Sequence, residues 1–60
     1  MSTHNEMLAA LVAAREFISF DRNAFADGLG GYVSADDAAE LADYDAVLLQ
    51  IQAAIDKATA

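Results

Sequence analysis

All three glycines of this chain fall within four positions, Gly28, Gly30 and Gly31, near its midpoint, and no proline occurs anywhere. Glycine tolerates positive φ, so it ends helices and makes tight turns. Ser34 follows, with Asp37 three residues on, the pattern of a helix N-cap and its reciprocal acid. Nothing on either side of this stretch breaks a helix. The sequence therefore predicts an all-α chain, one domain over residues 1–60. Helix 1 is expected over about 3–27, the glycine turn over 28–33 and helix 2 over about 34–57.

In a first helix, Met7, Leu11, Ile18, Phe25 and Leu29 line up at 100° per residue, with Leu8 at the edge. That stripe is the expected core face. Thr3 and Glu6 form a capping-box pattern at its start, after a short polar lead over residues 1–5. In a second helix the core stripe is Leu41, Tyr44, Leu48, Ile51 and Ile55, with Val47 and Ala54 alongside. Asp36 and Asp37 suit the positive end of its dipole and Lys57 the negative end. Leu29, Tyr32 and Val33 are expected to fold back over the open end of an antiparallel hairpin.

A two-helix hairpin needs one apolar face per helix, yet this chain carries two. Ala9, Ala10, Ala13, Phe17, Phe20 and Ala24 occupy the reverse side of helix 1, and Ala35, Ala38, Ala42, Leu49 and Ala53 that of helix 2. Sixty residues without cysteine are marginal as a monomer and are stapled neither by disulfides nor by a cysteine zinc site. The remaining route is association. The expectation is a homo-oligomer, a dimer favoured, forming a four-helix assembly through Ala13, Phe17, Phe20, Ala24 and Leu49. The plainer alternative is scattered exposed aromatics, which are ordinary on a protein surface.

The net charge is −7, with Arg15, Arg22 and Lys57 the only bases. That balance excludes direct nucleic-acid binding by phosphate neutralisation and attraction to anionic membrane surfaces. No apolar run approaches a membrane span and no leader pattern opens the chain, so a cytoplasmic location is expected. His4, the one histidine, has no partner residue to make it a catalytic base, and the hydroxyl residues sit in no nucleophile motif. No enzyme, cofactor or metal centre is predicted. Asp36, Glu40 and Asp43 share one side of helix 2, either as a solvated acidic face or as a weak cation site; they lack the spacing and glycine of a calcium loop.

Arg15 and Arg22 lie seven apart on the flank of the core stripe, without an acid three or four residues away. If the hairpin pivots near Gly30, Arg22 comes level with Asp36 to Glu40 and Arg15 with Asp43 to Tyr44. Two readings follow. The arginines form inter-helix ion pairs, Arg22 with Asp36 or Glu40 foremost, or they are guanidinium forks for a phosphate-bearing ligand or acidic partner.

The segment Ala14-Arg15-Glu16-Phe17-Ile18 with Asp21-Arg22, and Tyr44-Asp45-Ala46-Val47-Leu48 followed by Ile51 and Ala53-Ala54-Ile55, resembles short proteins encoded by tailed bacteriophages and prophages. The resemblance implies an accessory protein rather than a virion component, in a bacterial host cytoplasm, and it transfers no functional residue. Small phage accessory proteins often bind and block a host protein, defence components among them. The leading expectation is thus a non-enzymatic acidic protein that inhibits a host protein. The alternatives are an oligomeric sponge for a nucleotide signal, held between arginines of adjacent subunits, and a structural or assembly role.

Overall fold

The computed structural model describes residues 3–60, which form two α-helices, α1 over Thr3–Gly28 and α2 over Ala35–Thr59, packed on each other with no strand between them. The break lies where the glycines put it. Leu29 and Gly30 amides donate to the carbonyls of Ala26 and Asp27, the last tightened turn of α1. Gly30 (φ 64°) and Gly31 (φ 93°) then take the left-handed conformations that side chains with a Cβ resist. Gly28 stays helical. Ser34 starts α2 with a complete capping box: its hydroxyl accepts from the Asp37 amide at 3.1 Å, and the Asp37 carboxylate accepts from the Ser34 amide at 3.2 Å.

The two helices meet along a seam of alternating three- and four-residue steps, the cadence that keeps one stripe against a partner helix. On α1 it runs Leu8, Leu11, Arg15, Ile18, Arg22 and Phe25, continued by Leu29 of the turn, all half-buried. On α2 it runs Asp37, Leu41, Tyr44, Leu48, Ile51, Ile55 and Ala58; of these only Ile55 is buried, at 7% exposure, and the rest are half-buried. The core is thin because each helix has a single neighbour.

The register departs from expectation. Arg22 pairs with Asp45, and Arg15 bonds Gln52, so both contacts are symmetric about the Val33–Ser34 peptide rather than about Gly30. Arg22 is not paired with Asp36 or Glu40, and Arg15 is not level with Asp43 and Tyr44; each partner lies one heptad or so further along α2. The reason is the connection itself. Residues 29–34 carry the chain past the end of α1 before α2 starts, so the first turn of α2 overhangs Gly28, and the first turn of α1 overhangs the end of α2. Two helices staggered in this way span about 45 Å at 1.5 Å per residue, which agrees with the 46 Å long axis of the molecule.

The stagger accounts for the other corrections. Met7, expected in the core, sits on the overhanging turn and is 62% exposed, and Leu8 takes the seam position instead. Thr3 is itself helical rather than a cap, and the position before it lies outside the described residues. Tyr32 and Val33 do not cover the end of the hairpin but face solvent, leaving Leu29 as the one turn side chain packed inward.

Candidate functional site

The hairpin has two flanks, one on each side of the seam, and a back on each helix. Val47 and Asp45 are two residues apart, about 200° around α2, and so mark opposite flanks.

On the Asp45 flank, Arg22 Nε lies 3.0 Å from Asp45 Oδ1, an ion pair open to water on the Asp45 side. One heptad away, Arg15 Nη1 donates to Gln52 Oε1 at 2.9 Å, and Gln52 Nε2 donates onward to Asp56 Oδ1 at 2.9 Å. Both guanidinium groups are therefore engaged within the hairpin. Leu49 lies on this flank too, lining a shallow groove with Arg15, Ser19, Asp45, Leu48 and Gln52. Lys57, the remaining base, borders a third groove towards the start of α1, with His4, Met7 and Leu11.

The Tyr44 flank has no cation in its groove. Its lining is Ile18, Tyr44 and Val47 with the carboxylates of Glu40 and Asp43 beside them, around a volume of about 330 Å³. The Tyr44 hydroxyl donates to Asp21 Oδ2 at 3.0 Å, and the ring stands 6.1 Å from that of Phe25 in a tilted contact. The hydrogen bond to Asp21, partial burial and the negative charges of Asp21 and Glu40 together hold the phenol's pKa above its ordinary value. Asp36, Glu40 and Asp43 are all exposed, and none joins an ion pair among the described residues. Those residues include no group of carboxylates and histidine converging as a metal site requires.

The back of α1 is different again. Ala10, Ala13, Phe17, Phe20 and Ala24 repeat the alternation of the buried seam, are uncharged, and all face solvent, with Phe17 73% and Phe20 75% exposed. The expected interface residues Ala13, Phe17, Phe20 and Ala24 thus share one surface. Leu49, 72% exposed, does not belong to it. It stands instead in an outer row of α2 with Ala35, Ala39, Ala42, Ala46 and Ala53; Ala35, Ala42 and Ala53 belong to the reverse side expected from the sequence.

No family model, curated protein or solved structure matches the chain. No helix among the described residues is long and apolar enough to cross a membrane.

Sequence inspection missed three features of the site. Asp45 and Gln52 were not recognised as partners of the arginines, because that depends on the stagger. The Tyr44 flank was divided between a core stripe and an acidic row, and nothing local to α2 shows that Ile18 of α1 completes it. The seam positions of Arg15 and Arg22 were legible in principle, since seven-residue spacing from Leu8 to Leu29 runs through both.

Proposed function

We propose that this protein acts by binding other proteins, without catalysis, as a homodimer built on the back of α1, and that its acidic flank engages and inhibits a host protein. The observation that carries the reading is the division of charge. Both arginines are bonded inside the hairpin, while an uncharged aromatic face and a separate carboxylate-rich flank stay open. A nucleotide sponge would need both guanidinium groups free to grip phosphate, whereas Arg22 is paired with a carboxylate and Arg15 gives one nitrogen to Gln52.

Size supports the dimer. A compact globular protein of 6.3 kDa exposes about 3,700 Å², whereas this hairpin exposes 4415 Å². The excess, about 700 Å², is close to the roughly 800 Å² that each partner buries in a standard interface. The phage resemblance suggests a bacterial host cytoplasm as the setting and a host protein, such as a defence component, as the target.

Sedimentation equilibrium with affinity capture from bacterial lysate tests the proposal. The expected result is a dimer at micromolar concentration that retains a specific host protein, with retention lost in Asp43→Lys and kept in Arg22→Ala. A monomer that retains nothing, or a wild type that binds cyclic nucleotides tightly and loses them in Arg22→Ala, overturns it.

A further inference from the structure

The Tyr44 flank combines an apolar floor with one-signed walls. Ile18 and Val47 flank the Tyr44 ring on the floor, and Glu40 and Asp43 stand at the edge. Asp36 continues that edge one heptad towards the start of α2, and Asp21 closes the other side from α1 through its bond to the Tyr44 hydroxyl. All three bases of the chain lie elsewhere: Arg15 and Arg22 are bonded on the opposite flank, and Lys57 borders the distant groove beside Met7.

We infer that this groove docks a basic amphipathic helix of a partner protein, an inference that rests on the protein-binding reading above and names the chemistry of the partner. From Asp36 to Val47 the edge runs for about 16 Å, three turns of helix. A helix laid along it sets aliphatic side chains at three- and four-residue spacing on Ile18, Tyr44 and Val47 and directs lysines or arginines from its margins to Asp36, Glu40 and Asp43. Charge complementarity selects that occupant. A second copy of this chain, itself at −7, would bring carboxylates against carboxylates here, whereas the Ala10, Ala13, Phe17, Phe20 and Ala24 row on the back of α1 carries no charge. The raised pKa of Tyr44 reports the same negative field at the floor of the groove. The two surfaces therefore take different partners: like meets like on α1, and a basic helix meets the Tyr44 flank.

The test uses the isotopically labelled full chain, titrated with a short leucine–lysine amphipathic peptide and with its leucine–glutamate counterpart, read by NMR and calorimetry. The lysine peptide is expected to bind and to shift Ile18, Tyr44 and Val47, and the glutamate peptide to leave them in place. Glu40→Gln/Asp43→Asn should weaken binding by about tenfold or more. Glu16→Gln/Asp27→Asn, which removes the same charge from exposed positions on α1, should weaken it by less than about threefold. Circular dichroism confirms that both variants fold. Equal weakening in the two variants means a response to overall charge alone and overturns the inference. So do shifts centred on Phe17 and Phe20, the absence of binding, or groove resonances that move with protein concentration alone, which would place a second copy there. Sedimentation of the same samples reads the dimer independently, so a dimer with an empty groove rejects the docking inference and leaves the self-association intact.

Discussion

Arg15 donates to Gln52 at 2.9 Å between the two helices, from a seam position of α1 that lies between the aliphatic Leu11 and Ile18. A polar contact from an apolar seam to its flank contributes little net stability but selects one alignment over its neighbours. Replacing both by leucine should raise the melting temperature, by up to about 2 kcal/mol in stability from the added apolar contact. The cost should appear in uniqueness: extra or broadened amide resonances along α2 as neighbouring registers gain population. A double variant that is no more stable than wild type would show that the pair carries more than alignment.

Arg22 and Asp45 form the exposed counterpart, and an ion pair of this kind contributes about 0–1 kcal/mol. Arg22→Ala should lower the melting temperature by only a few degrees, and moderate salt should have a similarly small effect on the wild type. Thermal unfolding monitored at 222 nm checks both.

Phe20 and Ile55 separate association from folding. Ile55 is the most deeply buried side chain among the described residues, and Ile55→Ala should cost about 2–4 kcal/mol, much of what so small a domain possesses. Phe20 is 75% exposed in the single hairpin, so Phe20→Glu should leave helix content near wild type at high protein concentration and abolish the dimer in light scattering. A wild type at monomer mass at micromolar concentration would end the dimer proposal.

The phenol of Tyr44 should titrate above the ordinary tyrosine value of about 10, because Asp21 accepts its proton in a hydrogen bond and adds negative charge beside it. The folded chain holds this proton more tightly than the unfolded one. The stability it contributes is therefore complete below about pH 10 and declines as pH rises through the higher folded value. Ultraviolet titration in a Tyr32→Phe background isolates the transition, and Asp21→Asn should move it back towards 10.

The three glycines should differ in their response to alanine. Gly30 and Gly31 hold positive φ, so alanine at either should destabilise by about 1 kcal/mol. Gly28 is helical with open space where a Cβ would stand, and Gly28→Ala should stabilise by about 0.4–1 kcal/mol. Chemical denaturation of the three single variants resolves the signs.

Sequence alone determined the elements and their faces. A glycine cluster followed by Ser34 and Asp37 encodes a break and a helix start through φ preference and a hydrogen bond spanning three residues, both local effects. The stripe from Leu41 to Ile55 and the exposed row through Phe17 and Phe20 follow from helical periodicity, which needs no knowledge of the partner helix. Tertiary structure decided the alignment of the two helices. Pairing depends on how far residues 29–34 carry the chain beyond α1 before α2 turns back, a distance set by the dihedral angles of Gly30 and Gly31 together with the packing of the whole seam. That distance moved the partners of Arg15 and Arg22 along α2 to Gln52 and Asp45, left Met7 on an overhanging turn, and brought Ile18 beside Tyr44 and Val47. A helix displays its own faces from its own residues, but which faces meet is a property of two helices at once.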